Sequence, residues 1–345
     1  MQAGAWDQAL ALCEAFPELR APGLSLCRAV ARFVSGDVAA GIALCDAVLA
    51  EQPEQLSALG VKAQMLSRSG SGRLALPLLA QLIERCPDYP GAHGLLAALC
   101  FPGPHYRERL SELHARLRPR CYLEIGVDTG ATLALAERSE LAVGVDPAEI
   151  RARQPLPACA RVYREESDAF FASHTREQVL GARRLDLIFI DGMHRFENAL
   201  SDFINAEAWA HSAATIVFHD CMPLLPSTAT RDRQSSFWVG DTWKVVLALA
   251  TARPDLRIRS LACAPSGLVI VRHLDPNSTS LRQNYARLVK QFSSLTWQRS
   301  LAEFPRNFRW FPTMRAASKT RSVDTLTGYS CMFLSATFTS WRKSK

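Results

Sequence analysis

Residues 121–147 read CYLEIGVDTGATLALAERSELAVGVDP, and few folds can contain such a stretch. Tyr122, Leu123 and Ile125 make an apolar run of strand length, which carries the acid Glu124 and breaks at Gly126, with Gly130 four residues on. The spacing predicts a helix over 131–138 and a second buried strand over 141–145, closed by Asp146. A strand, a glycine turn, a helix and a strand ending in an acid form the opening half of a parallel α/β sheet. Lacking a Cβ, the two glycines let the backbone turn sharply and approach a ligand. Amides at the start of the following helix would point at the same place. Asp146, one strand away, stands where a ribose hydroxyl pair is held in such sheets. A turn that is tight for structural reasons alone would leave the same glycines.

The spacing discriminates between cofactor classes. A dinucleotide site needs G-x-G-x-x-G packed against a pyrophosphate. This chain has E-x-G-x-x-x-G, with Asp128 inside the loop, where it would repel a pyrophosphate. Glu124 and Asp128 suit a ligand with a cationic, zwitterionic end. The pattern, with Asp146 after the next strand, resembles the first and second motifs of class I S-adenosylmethionine-dependent methyltransferases. That resemblance implies S-adenosylmethionine as cofactor, with Glu124, Gly126, Asp128, Gly130 and Asp146 around it.

A chain of 345 residues is long for one domain. Residues 1–100 read as an all-α helical-repeat domain. Proline closes a helical segment at Pro17, Pro53 and Pro87, the last two 34 residues apart, and small residues such as Gly36, Ala40, Ala58, Ala63 and Ala75 lie between them. A 34-residue period of paired helices is the tetratricopeptide pattern, here without most of its bulky aromatic positions. Such repeats offer a concave surface to a protein partner or cap the neighbouring domain. A turn-rich break, FPGP, follows at 101–104. Residues 105–275 then carry the α/β pattern, opening with an amphipathic helix over 106–117. The resemblance gives this helix a place over the cofactor.

Further strands are expected at 161–163, 185–190 and 215–218, and an antiparallel pair at 257–263 and 267–273 matches the ending of the class I methyltransferase sheet. The fold expected is therefore a Rossmann-like seven-stranded methyltransferase sheet behind the helical repeats. Ser167 and Asp168, after the third strand, match the family's adenine-contacting position, and both residue types also favour helix N-caps. Asp146, Asp191 and Asp220 each end a strand, and ligands of open α/β sheets bind beyond strand carboxyl ends. The phrase IDGMH (residues 190–194), followed by a strand ending His219–Asp220, resembles the Methyltransferase-24-like group, relatives of catechol-type O-methyltransferases.

Those relatives hold Mg²⁺ with one acid after the fourth strand and an acid pair after the fifth. The resemblance carries the first ligand to Asp191 and the pair to His219 and Asp220. A histidine nitrogen suits zinc, iron or manganese better than magnesium, which prefers oxygen. His194, three residues beyond Asp191, offers a metal-free route, since an imidazole titrating near neutrality is a general base for a hydroxyl. His211 and His219 are weaker candidates for that base. Glu197 and Asp202 fall on the helix that follows, where acids are ordinarily solvated. A long loop after Asp220 carries Phe237, Trp238 and Trp243, which either stack on an acceptor or pin the loop to the core. Asp241 is expected to cap a helix over 242–251.

Residues 276–345 complete the chain with a helix over 280–292 and a basic extension. From Leu301 onward there are eight Lys or Arg against two acids, so most of the net +7 belongs to the tail. The rest of the chain is nearly neutral, so no nucleic-acid partner is expected. No apolar run reaches the length of a membrane span, no secretory leader is recognisable, and ten scattered cysteines without C-x-x-C pairs read as free thiols of a cytoplasmic protein. The function expected is O-methylation of a small molecule or sugar. The alternative is a non-catalytic scaffold, its repeats binding a protein partner.

Overall fold

The computed structural model of the protein describes residues 22–152 and 155–303. Five helices come first: α1 (Pro22–Val34), α2 (Val38–Glu51), α3 (Leu56–Arg68), α4 (Gly72–Arg85) and α5 (Ala92–Cys100). Among α1 to α3 a small core gathers Leu26, Ala29, Cys45, Val48, Ala58 and Met65. Gly41 of α2 lies where a Cβ would come 2.9 Å from the carbonyl oxygen of Ala29, so the absent side chain lets the two helices meet. The chain divides into two compact units between Leu78 and Leu79, inside α4. The second half of α4 and all of α5 thus belong with the sheet, upstream of the FPGP turn.

In that second unit, α6 (Tyr106–Leu117) begins at a capping box, in which the His105 N–H donates to Glu108 over 2.9 Å. The strands are β1 (Cys121–Ile125), β2 (Leu141–Val145), β3 (Ala160–Tyr163), β4 (Leu185–Ile190), β5 (Ala210–His219), β6 (Arg257–Leu261) and β7 (Leu268–Arg272). They form one sheet in the order β3-β2-β1-β4-β5-β7-β6. Strands β1 to β5 pair in parallel, while β7 runs antiparallel to β5 and β6. This is the seven-stranded Rossmann-like sheet expected. Every residue of β1 and β2 is buried, which is why both read as apolar runs, interrupted in β1 only by Glu124. The strand order reverses between β1 and β4, and open α/β sheets bind ligands beyond the strand carboxyl ends at such a reversal.

Between and after the strands lie α7 (Ser167–Ser173), α8 (Arg176–Leu180), α9 (Phe196–Trp209), α10 (Lys244–Ala252), α11 (Ser280–Ser293) and α12 (Trp297–Glu303). The helix expected over 131–138 is a single 3-10 turn, Leu133–Ala136. Leu133 and Ala136 are both buried and three residues apart, and a period of three puts both on one face. No α-helix therefore starts behind the glycine turn to aim its amides there. Of the basic extension, residues 304–345 lie outside the described chain. Among the described residues, no helix is long and apolar enough to cross a membrane.

Candidate active site

The chain leaves β1 at Ile125 and turns through Gly126, whose φ is +85°. A Cβ here would lie 2.0 Å from the carbonyl oxygen of Asp191, so β1 and β4 close on one another only through a glycine. Gly130, at φ +70°, faces a Leu156 methyl in the same way, at 2.8 Å. Asp128 holds a left-handed φ of +47° without being glycine. Asp146 fixes this turn from β2. Its Oδ2 accepts the N–H groups of Val127 at 2.8 Å and Asp128 at 3.0 Å, and its Oδ1 accepts that of Ala148 at 2.8 Å.

Glu124 is fully buried, and its carboxylate faces inward. Its Oε2 accepts from the Tyr122 hydroxyl and its Oε1 from the Thr132 hydroxyl, both over 2.7 Å. Burial pushes its carboxyl up to about 8, with the nearby Asp191 charge adding to the rise and the two hydroxyls opposing it. Held by these two hydroxyls, it braces the turn from beneath.

Beyond β4 and β5 two acids and two imidazoles interlock. Asp191 Oδ1 stands 3.0 Å from His219 Nδ1 and 3.5 Å from His194 Nε2. Asp220 Oδ2 stands 3.0 Å from His194 Nε2 and 3.3 Å from His219 Nδ1. Burial works against the Asp191 charge, yet the His219 charge and bonds from both imidazoles hold its carboxyl well below the usual range. Burial also opposes the His194 charge, but Asp220 and Asp191 raise that imidazole to about 9. At neutral pH His194 is therefore a cation with both nitrogens donating, Nδ1 to the Trp238 carbonyl at 3.1 Å. This corrects the expectation of an imidazole titrating near neutrality. His194 and Asp220 both take left-handed backbones, φ +55° and +56°, a concentration of strain typical of functional sites.

Two members of the site, Ser266 and Tyr106, were invisible in the sequence. Ser266, on the β6–β7 turn, gives its hydroxyl hydrogen to Asp220 Oδ1 and lies 3.2 Å from His219 Nε2. A hydroxyl has one hydrogen, so Ser266 must accept from Nε2–H, leaving Nδ1 as the nitrogen that faces the carboxylates. Tyr106, the first residue of α6, packs against His219 with ring centroids 4.1 Å apart and planes tilted by 30°. Both belong to elements distant in sequence, and no local pattern marks them. Trp238, expected to stack on an acceptor or pin its loop, stacks on His194 at 5.5 Å.

Other candidates lie elsewhere. Asp168 accepts from Ser201 of α9 at 2.6 Å, and Ser167 hydrogen-bonds Asp202, so both tie α7 to α9. His211, at the far end of β5, pairs with Asp186 at 3.0 Å. Glu197 binds Arg231. Asp241 does not cap α10. Its Oδ1 accepts from the Phe196 N–H at the start of α9 over 2.7 Å, and its Oδ2 pairs with the buried Lys244 at 2.8 Å. Trp243 is core, packed edge-on against Trp297.

Asp202 is not the solvated helical acid expected. It is buried, with Oδ1 lacking any partner. Burial raises its carboxyl to about 7, the Asp168 charge adds to this, and Ser167 opposes it. A carboxyl whose folded value is raised stabilises the fold fully below its unfolded value and loses that contribution as pH rises through the folded one. In thermal melts, the advantage of Asp202→Asn over wild type should grow by about 2 kcal/mol from pH 5 to pH 8.5. A pH-independent difference would contradict this account.

Residues 123–221 match the family model described as a methyltransferase domain. Solved structures with a similar fold include an O-methyltransferase from Bacillus cereus in complex with SAH, at 16% identity, covering 57% of this chain and 89% of that one, TM-score 0.39. The O-methyltransferase TomG from Streptomyces achromogenes, involved in Tomaymycin synthesis and in complex with SAM, is 16% identical over 58% of this chain and 89% of that one, TM-score 0.41. An SAH-bound Podospora anserina methyltransferase is 11% identical over 61% and 96%, TM-score 0.40. No curated protein matches the chain. The match to the methyltransferase-domain model spans the central part of the chain, from β1 to just past Asp220.

Proposed function

We propose that residues 105–275 transfer a methyl group from S-adenosylmethionine to an oxygen of a small molecule or sugar. The observation that carries this reading is the convergence, beyond the carboxyl ends of β1, β2, β4 and β5, of a glycine turn clamped by Asp146 and the Asp191–His194–His219–Asp220 cluster. The turn, with Glu124, Gly126, Asp128, Gly130 and Asp146, forms the cofactor side. We assign the adenine edge to the start of α7, where Ser167 and Asp168 tie that helix to α9, and the acceptor side to Asp191 and His194.

In the reaction the acceptor oxygen attacks the sulfonium methyl in line. The C–S bond breaks with its electron pair going to sulfur, and the hydroxyl proton passes to a base. His194 is that base. It holds its proton while Asp191 and Asp220 support the charge. Once those carboxylates are engaged elsewhere, Nε2 loses that support and gives its own proton to solvent, and the neutral imidazole can then take the acceptor's proton. Nδ1–H stays on the Trp238 carbonyl and keeps the ring oriented.

The donor set fits a divalent cation. One atom from each of Asp191, His219 and Asp220 lies within 4.8 Å of the other two. The 3.0 and 3.3 Å separations from His219 Nδ1 are those of neighbouring ligands on one ion with bonds of about 2.1 Å. Ser266 turns the right nitrogen toward them. Such a cation would polarise the acceptor hydroxyl, and the nitrogen donor favours zinc, manganese or iron over magnesium.

The helices before the sheet unit are proposed to be degenerate tetratricopeptide-like repeats. The 13-residue α1 and α3 begin 34 residues apart, as do the 14-residue α2 and α4. The buried small residues keep the same offset, Ala29 with Ala63. That is the period of such repeats.

Calorimetric titration of S-adenosylmethionine and S-adenosylhomocysteine tests the assignment. Wild type should bind both at micromolar levels, and Asp146→Ala should weaken binding at least tenfold, about 1.4 kcal/mol, by releasing the Val127 and Asp128 amides. A folded wild type that binds neither would overturn the reading.

A further inference from the structure

The loop that carries Trp238 is anchored at both ends, and the anchor away from the site is unexplained by the proposed chemistry. On one side Asp88 Oδ1 accepts the Ser236 N–H at 2.6 Å, across 148 residues of sequence. Next to it, His93 at the start of α5 stacks on Phe237, with centroids 4.6 Å apart and planes 26° from parallel. His93 is itself held, since Nε2 donates to the Pro87 carbonyl at 2.8 Å. The loop is laced internally as well. Arg233 donates to the Ser235 and Ser236 carbonyls at 3.0 and 2.7 Å, the Ser235 hydroxyl to the Phe237 carbonyl at 2.7 Å, and the Trp238 indole N–H to the Thr230 carbonyl at 2.7 Å.

On the other side a group of contacts converges on His194 and the start of α9. The Trp238 ring stacks on the imidazole and its carbonyl accepts from Nδ1. The Asp241 N–H donates to the His194 carbonyl at 3.0 Å, and the Asp241 carboxylate takes the Phe196 N–H. At Gly240 a Cβ would fall 2.0 Å from the His194 carbonyl oxygen, so the loop presses on the backbone of the histidine itself. A non-glycine residue keeps a left-handed φ only where its surroundings impose it. At His194 those surroundings are residues 238–241.

We propose that Asp88 and His93 are positioning residues for His194, acting through the strap of residues 230–241. The helical segment around α5 thereby sets the orientation of the active-site imidazole without touching the reacting groups. Phe237 faces the helix and Trp238 the histidine, so adjacent side chains of one loop couple the two. The catalytic part of this inference rests on the reading of His194 as the base, whereas the mechanical coupling does not.

The experiment is amide hydrogen exchange at residue resolution on the full chain, for wild type, the Asp88→Ala/His93→Ala double variant and the conservative Asp88→Asn/His93→Phe pair. The conservative pair keeps an acceptor for Ser236 and a ring for Phe237. In the alanine variant, exchange at Ser236, Asp241 and Phe196 should rise at least tenfold while amides of β1 and β4 keep their wild-type rates. The conservative pair should restore most of the protection. A rise confined to Ser236, or an equal rise in β1 and β4, would overturn the proposal, because the first denies transmission and the second makes the two residues mere stabilisers. With an acceptor in hand, turnover should fall about tenfold with KM and cofactor affinity unchanged, and a parallel loss of cofactor affinity would also overturn it. A wild type that binds no S-adenosylmethionine would fail the enzyme assignment, and the exchange result would still decide the coupling.

Discussion

Gly126→Ala is expected to destabilise the methyltransferase domain by more than about 3 kcal/mol and to abolish cofactor binding. Two costs coincide. The backbone at +85° lies in the left-handed region, which a residue with a Cβ occupies at a cost of order 1–2 kcal/mol. The added carbon would also sit 2.0 Å from the Asp191 carbonyl oxygen and 2.5 Å from its carbon. Backbone cannot swing aside as a side chain does. The Gly126 N–H donates to Val145 at 2.9 Å and the Asp191 N–H to Ile125 at 2.8 Å, so moving either strand end breaks the ladder that joins β2, β1 and β4. Urea denaturation measures the loss. A variant within 1 kcal/mol of wild type would show that this junction is softer than its geometry implies. Gly130→Ala is the informative contrast, because it meets only the end of a flexible Leu156 side chain.

How far the sequence disclosed all this depended on whether a residue acts within its own element. Strand ends were legible. Each buried strand is a largely apolar run, and an acid, Asp146, Asp191 or Asp220, follows directly at its carboxyl end. The extent of α6 and β4 follows from amphipathic and apolar patterning in the same way. What stayed hidden was whatever depends on a partner far along the chain. Ser266 looks like any turn serine until β6 and β7 fold back beside β5. Asp241 looks like an N-cap of its own helix, yet it caps α9 because the strap carries it there. The Tyr122 and Thr132 hydroxyls that hold Glu124 from below are likewise marked by no motif. The histidine beside two acids was read with its unperturbed pKa, and only the cluster's geometry reveals that it is cationic.

That cluster yields the largest expected functional effect. Asp191→Asn should lower turnover by about a thousandfold, roughly 4 kcal/mol of barrier, with S-adenosylmethionine affinity within threefold of wild type. The replacement keeps the shape and leaves the backbone contacts of Asp191 with Ile125 and Gly126 in place. What it removes is one negative charge. In the ligand-free protein two carboxylates balance two imidazoliums, and Asp191 is the group that both His219 and His194 share. With asparagine there, one carboxylate faces two cations in a buried site, and one imidazole must give up its proton. His219, buried between Tyr106 and Ser266, is the one to do so, since it stands nearer the lost charge, 3.0 Å from Asp191 against 3.5 Å for His194. The cation site is then left with a single anionic ligand, and calorimetry should find manganese or zinc affinity reduced at least a hundredfold. Turnover within tenfold of wild type would remove Asp191 from the chemistry. Full turnover alongside lost metal affinity would instead place the proton transfer on His194 alone, with Asp220 its remaining support at 3.0 Å.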